Sequence, residues 1–398
     1  LLDDIDTGSY EAGMVGLDHH PNVEIRLFNP FVQRGGLRVL NLLSEPRRLN
    51  RRMHNKSMTV DNQVTVVGGR NIGAEYFGAR PDMDFGDLDL LAVGPVVPEV
   101  SSAFDRYWNS EAAVPVPALL GGIDGEAALR GLREALADVD QQARTTPYGA
   151  VLERTILEAI DGGGERLHWA EAEVVADPPE KAGGALAPDD LESLRARLGP
   201  LLRGARRELV VISPYFVPRE AGVALFRELR ERGVRVVILT NSLASNDVPA
   251  VHAGYARYRQ ALLEAGVELW ELRPDIPVRR RYTGMPADSR SSLHAKTFAV
   301  DRRFLYVGSL NLDPRSVNIN TEMGIVVDDP ALTAPVVEGF LEELPDAAYR
   351  LGLDERGEIL WRATVDGEPV VYRQEPGTGF WQRFSTGLFG LLPIESQL

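Results

Sequence analysis

Short apolar runs bounded by polar turns recur along the chain, with stretches of helical period between them. Residues 208–212 and 234–239 are almost continuously apolar, the pattern of strands covered on both faces. Residues 219–232 between them have helical spacing, so the segment predicts a βαβ unit. Elsewhere the period is two. His54, Lys56, Met58 and Val60 alternate with Asn55, Ser57 and Thr59, which predicts a strand with the histidine and lysine on one face. Asp61-Asn62 is a turn signal and 63–67 a second apolar strand, so the pair predicts a hairpin. Residues 127–139 and 151–160 read as helices, with loops at Gly162-Gly163-Gly164 and Asp177-Pro178-Pro179.

The hairpin occurs twice. His54 to Asn71 and His294 to Asn311 align at an offset of 240 with 7 of 18 positions identical, including His, Lys, Asp, Gly and Asn. Upstream, Val23 to Pro30 resembles Val267 to Pro274. A repeat of this length implies duplicated domains and not a solenoid, whose period is about 20–50 residues. Leu1-Leu2 aligns with the end of the strand at 234–239, so the first copy is expected to lack about 35 residues that hold its first strand and helix. The expectation is an α/β protein with two lobes: 1–115, then a connecting region 116–200, a second lobe 201–345 and a C-terminal segment 346–398.

Composition narrows the chemistry. Without cysteine, thiolate metal sites, cysteine nucleophiles and disulfides are excluded. No apolar run reaches the roughly 18 residues of a spanning helix. A net charge of -15 is opposite in sign to a broad nucleic-acid surface. Only three of the 43 basic residues are lysines: Lys56, Lys181 and Lys296. Arginine fills the rest, which marks the lysines as positions where a wide planar fork does not serve.

Two of those lysines stand two residues from a histidine in equivalent motifs. A lone histidine on a strand is more often structural; the duplication argues for chemistry. One histidine can attack phosphorus while the other protonates the leaving alcohol and then deprotonates the incoming one. Lys56 and Lys296 would neutralise the phosphate, and Asn71, Asn311 and Ser309 would hold it. That two-step exchange needs no cofactor and no metal, and no metal-ligand spacing is visible. Each histidine should have an acid to orient it. Glu322 opens an apolar strand 28 residues after His294, and Asp89, in Asp87-Leu88-Asp89, aligns with it. Asp61 and Asp301 complete the motifs, as site residues or only as turn anchors.

The pattern His-x-Lys-x4-Asp followed by Gly-Gly/Ser-x-Asn, intact in both copies, resembles the phospholipase D superfamily. Arg52-Met53-His54-Asn55-Lys56, the run from Val66 to Gly73, Tyr76-Phe77, residues 213–218, 240–243, 251–255 and 308–316, and the ending at Leu391 to Glu395 resemble bacterial cardiolipin synthases, above all their C type. The resemblance implies two α/β/α lobes about a pseudo-twofold with one site between them. It implies His54 as nucleophile and His294 as acid/base. It implies phosphatidylglycerol and phosphatidylethanolamine as substrates, at a bacterial membrane and peripherally; the cytoplasmic side is assumed, since the sequence does not give it. No nucleic acid is expected, and a helper protein is left open. Alternatives are a phospholipase or nuclease on the same machinery, or a catalytically dead lipid-binding protein.

Arg47, Arg48, Arg51 and Arg52 before His54, and Arg279, Arg280 and Arg281 before His294, suggest a basic approach for anionic head groups. The stretch from Phe380 to Ile394 is aromatic and apolar with one charge, suited to a membrane interface or to packing on a lobe. His252 reads as a core histidine.

Overall fold

The computed structural model describes residues 1–5, 7–35, 38, 41, 44–73, 76, 83–143, 167–184, 191–275, 290–390 and 395–397. The predicted helix at 151–160, the glycine loop at 162–164, Arg279 to Arg281 and Leu391 to Ile394 lie outside them.

The second half is built on a ten-stranded sheet. Its centre is parallel: Glu208–Ile212 beside Arg235–Asn241 beside Glu268–Leu272. The helix Arg219–Glu231 joins the first two, as the apolar pattern predicts, and buries Val223, Phe226 and Leu229 at helical spacing. On the other side of Glu208–Ile212 the sheet turns antiparallel through Thr297–Val300, Phe304–Gly308 and Met323–Asp328. Glu171–Ala176, from the expected connecting region, adds the next strand. Ala348–Leu353, Ile359–Val365 and Glu368–Tyr372 extend the opposite end. One continuous sheet therefore crosses the expected boundaries at 200 and 345.

The first half repeats this order in two pieces. Leu2–Asp3 lies parallel to Arg26–Phe28, which pairs antiparallel with Ala113–Pro115. Ser57–Val60, Val64–Gly68 and Asp89–Val93 form the second piece. In the other half Glu208–Ile212 joins the equivalent pieces; among the described residues of this half nothing takes that place. Met58 is 68% exposed while its counterpart Phe298 is 3% exposed.

Both hairpins turn as the sequence predicts. Asp61-Asn62 and Asp301-Arg302 all have φ between 50° and 56°, the left-handed pair of a tight turn inside a three-residue hairpin loop. The His-x-Lys triplets, however, precede the strands and are not part of them. His54 donates its amide to Thr321 O and His294 donates to Gly86 O, so their backbones bond across to the other half. The short parallel pairing of Met83–Gly86 with Arg290–Leu293 makes the second crossing. The helix Gly125–Ala143 packs on Glu11–Asp18, where a Cβ on Gly16 would sit 2.7 Å from the Ala128 backbone. Among the described residues no helix is long and apolar enough to cross a membrane.

Candidate active site

The two backbone crossings carry the site. Thr321 O holds the His54 amide, and the next residue, Glu322, puts Oε2 2.8 Å from His54 Nδ1. Gly86 O holds the His294 amide, and the next residue, Asp87, puts Oδ2 2.8 Å from His294 Nδ1. Each histidine thus takes its acid from the opposite half. Both carboxylates are fully buried; the His54 side chain is 26% exposed and that of His294 7%.

The partner of His294 is Asp87, correcting the expectation of Asp89. Hairpin register gives the reason. Gly308 pairs with Gly324, and its repeat counterpart Gly68 pairs with Asp89. Asp89 is thus the equivalent of Gly324, and Asp87, two residues earlier, is the equivalent of Glu322. The Asp89 carboxylate instead binds Arg70. Arg70 also donates to the carbonyls of Asp87 and Tyr76.

Lys56 Nζ donates to His54 O at 2.8 Å, and Lys296 Nζ lies 3.0 and 3.2 Å from the two ring nitrogens of His294. Burial lowers the Lys56 pKa to about 8 and that of Lys296 to about 7, against the pull of Glu322 and Asp87. Burial also lowers both histidines. Glu322 pulls His54 back up; His294 is driven well down, with Lys296, Lys56 and His54 adding to the effect. Burial works to raise Glu322, but His54, Lys56 and the Ser309 hydrogen bond outweigh it and hold it below its ordinary value. Asp87 is raised by burial, with Lys296 opposing. The two motifs therefore sense one another as parts of one charged cluster.

The other expected site residues divide. Asn71 Nδ2 donates to Tyr76 OH, and that hydroxyl lies 3.4 Å from His294 Nε2. Asn311 is buried; Nδ2 reaches Ser316 Oγ at 3.4 Å, and Oδ1 has no partner among the described residues. Ser309 is corrected from phosphate ligand to support: fully buried, its hydroxyl donates to Glu322 Oε2 at 2.5 Å and accepts the Met323 amide. Asp61 and Asp301 are corrected too. They lie seven residues beyond their histidines, roughly 20 Å along extended chain. Asp301 accepts the amides of Arg206, Arg207 and Glu208. In the basic approach before His54, three arginines make structural contacts: Arg48 binds Asn29, Arg51 binds Lys181 O and Arg52 binds Asp3. His252 is a core residue, 2.6 Å from Arg259.

Sequence reasoning missed Tyr76, which with Phe85 packs its ring on His294. The signal was its place just after Asn71, inside a stretch already noted for resemblance. Among the described residues no group of three or more His, Asp or Glu could hold a metal ion.

A duplicated α/β half with one His-x-Lys in each copy, both turned to a shared site, defines the phospholipase D-like class. Residues 198–344 match the family described as "Cardiolipin synthase, PLD-like domain". The chain is 42% identical to cardiolipin synthase C of Escherichia coli (strain K12) over 398 residues, 99% of this chain and 83% of that protein. It is 30% identical over 401 residues to an uncharacterized protein of Helicobacter pylori, covering 99% of this chain and 77% of the other. The crystal structure of phosphatidylserine synthase from Haemophilus influenzae covers 75% of this chain and 62% of its own, at 16% identity and a TM-score of 0.48. The chain belongs to the cardiolipin synthase family of the phospholipase D superfamily and is a transferase of that superfamily.

Proposed function

We propose that the protein makes cardiolipin by phosphatidyl transfer through a phosphohistidine, with phosphatidylethanolamine as donor and phosphatidylglycerol as acceptor. The observation that supports this best is the crossed pair of dyads. Each Nδ1 is held by a carboxylate, which orients Nε2 as the reactive nitrogen.

His54, the more open imidazole, attacks phosphorus through Nε2. The phosphorus–oxygen bond to ethanolamine breaks, and His294 gives that oxygen its proton. A phosphatidylglycerol hydroxyl then passes its proton to His294 and attacks phosphorus, and the bond to His54 breaks. Cardiolipin leaves and both imidazoles return to their starting states. Burial depresses the two histidines and two lysines gathered in one site, and the lysine charges add to the effect on both histidines. The lipid phosphate supplies the missing negative charge, restores protons to the cluster and makes His294 able to act as an acid. Lysine charge then does the work of phosphate neutralisation, so the proposed reaction is metal-independent.

The C-terminal helix Phe380–Phe389 suits a peripheral membrane position. Phe380, Trp381, Phe384, Leu388 and Phe389 are exposed along ten residues, and Trp381 is 75% exposed. Gln382 on the same helix bonds Leu243 O in the loop that leads to Asp247, and Asp247 acts on Lys296. The helix that carries the apolar face is thus tied to the loop that leads to Asp247.

The test is incubation with phosphatidylglycerol vesicles, with and without phosphatidylethanolamine, in EDTA, read by lipid mass spectrometry. Cardiolipin that rises with phosphatidylethanolamine and is lost in His54→Ala and His294→Ala supports the proposal. Phosphatidic acid without cardiolipin would replace it with hydrolysis. Loss of turnover in EDTA alone would remove the metal-independent step.

A further inference from the structure

Lys181, the third lysine, lies outside both motifs yet is buried. It stands on the short helix Glu180–Gly183, just after the strand Glu171–Ala176 that the connecting region adds to the sheet. Its Nζ is 2.7 Å from Asp177 Oδ2 and 3.2 Å from Ser316 O. The pocket has two acceptors for a point charge and 5% exposure, conditions that fit an ammonium better than a fork.

Asp177 sits opposite Glu322, one step past the pairing of Met323 with Ala176. There the ladder ends in an exchange. Asp177 donates its amide to Glu322 O at 2.9 Å, and Glu322 donates its amide to Asp177 Oδ2 at 3.0 Å. A side-chain carboxylate thus replaces the backbone acceptor that the strand lacks. Asp177 Oδ1 accepts the Leu194 amide, and Tyr107 OH donates to Asp177 O, so both carboxylate oxygens and the carbonyl are taken. Ser316, held through its carbonyl by Lys181, receives Asn311 Nδ2 on its hydroxyl. The brace therefore supports Glu322 on one side and the Asn311 segment on the other.

The other dyad is built differently. The Asp87 carbonyl receives Arg70, and the Asp87 carboxylate accepts the amide of Leu88 beside it. The pseudo-twofold is thus broken behind the histidines.

We infer that the buried Lys181–Asp177 pair is a positioning element of the reaction: it fixes the backbone of Glu322, and through Glu322 it aligns His54 for attack. Neither residue touches the reacting atoms. The inference rests on the proposed role of His54, so its test includes a readout that needs no substrate.

The charged groups facing His54 are Glu322, Lys56 and Lys296; those facing Asp177 are Lys181 and, as neutral phenols, Tyr107 and Tyr306. In the full-length protein, the Nδ1 proton that each histidine shares with its carboxylate gives a downfield resonance in proton NMR. His54→Gln and His294→Gln assign the two signals. In Lys181→Met, the His54 signal should move upfield or exchange away, while that of His294 stays. Turnover should fall about tenfold with KM unchanged, by analogy with loss of the residues that orient metal-bound histidines. Asp177→Asn, nearly the same in volume, should act in the same direction if Lys181→Met does not fold. Lys181→Arg should fail to rescue. Both histidine signals unchanged in folded Lys181→Met and Asp177→Asn would overturn the inference, whatever the activity. A displaced His54 signal with full turnover would also overturn it, since alignment would then be irrelevant to the reaction. Absence of lipid turnover in the unmodified protein would count against the proposed function and leave the NMR comparison to decide the brace.

Discussion

Burial lowers Lys56 to about 8 and Lys296 to about 7 and depresses both histidines beside them, and a nearby anion favours the protonated form of each. Anion binding must therefore take up protons. Raising pH through 7 to 8 removes the lysine protons, so affinity for a phosphodiester should fall across that window. Diethyl phosphate, a monoanion throughout, is the probe: calorimetry at pH 6 and pH 9 should show at least about tenfold weaker binding at the higher value, the equivalent of 1.4 kcal/mol. Equal affinity at both would mean that the lysines do not meet the phosphate. The histidine partners separate cleanly. Asp87→Asn should cost about 10²- to 10⁴-fold in turnover by losing the group that orients His294. Asp89→Asn should cost much less, because it touches Arg70 and no histidine. Equal losses in the two would contradict the register argument.

At the scale of the element, the hairpin separates what local sequence encodes from what it does not. Its turn was legible, because Asp61-Asn62 and Asp301-Arg302 are turn residues whatever lies around them. The resemblance implied one site for both motifs, and in the fold His54 and His294 are each within electrostatic reach of both Lys56 and Lys296. The choice between Asp87 and Asp89 was not legible: it depends on which residue of the third strand faces Gly68, and a two-residue error leaves the face unchanged. Ser309 was misread for a related reason, since a hydroxyl beside a phosphate-type motif looks the same whether it points out or in. The Asp of each motif belongs to the hairpin. Asp301 accepts three successive amides from Arg206 to Glu208, so Asp301→Ala should lower stability by about 2 kcal/mol. Thermal unfolding measures that loss, while turnover per folded molecule should stay within about twofold. Asp61 is exposed, and Asp61→Ala should change stability by less than about 0.5 kcal/mol.

For the whole molecule, the sheet explains why domain boundaries were hard to read. Glu171–Ala176 and Ala348–Leu353 join the second half's sheet through pairing partners far away in sequence, and Ile359–Val365 and Glu368–Tyr372 follow by local hairpins. Local periodicity reports a strand but not its neighbour. The C-terminal aromatic run was legible as apolar, and only the fold shows that its helix leaves five large apolar side chains outward. Replacing Trp381 and Phe384 with serine should reduce sedimentation with phosphatidylglycerol vesicles by about tenfold or more, at unchanged melting temperature, from the roughly 1.5–3 kcal/mol that burying each such side chain supplies. Undiminished vesicle binding would place the membrane contact elsewhere.

Crossed carboxylates also bear on ancestry. A single ancestral copy would have held a histidine without its acid and an acid without its histidine, both idle. Two copies meeting about a twofold axis would have supplied each other in one step, since in such a pair every gift is returned. Within one chain the two copies need not be identical. One could gain a brace behind its glutamate and the other an arginine behind its aspartate, while neither could be discarded.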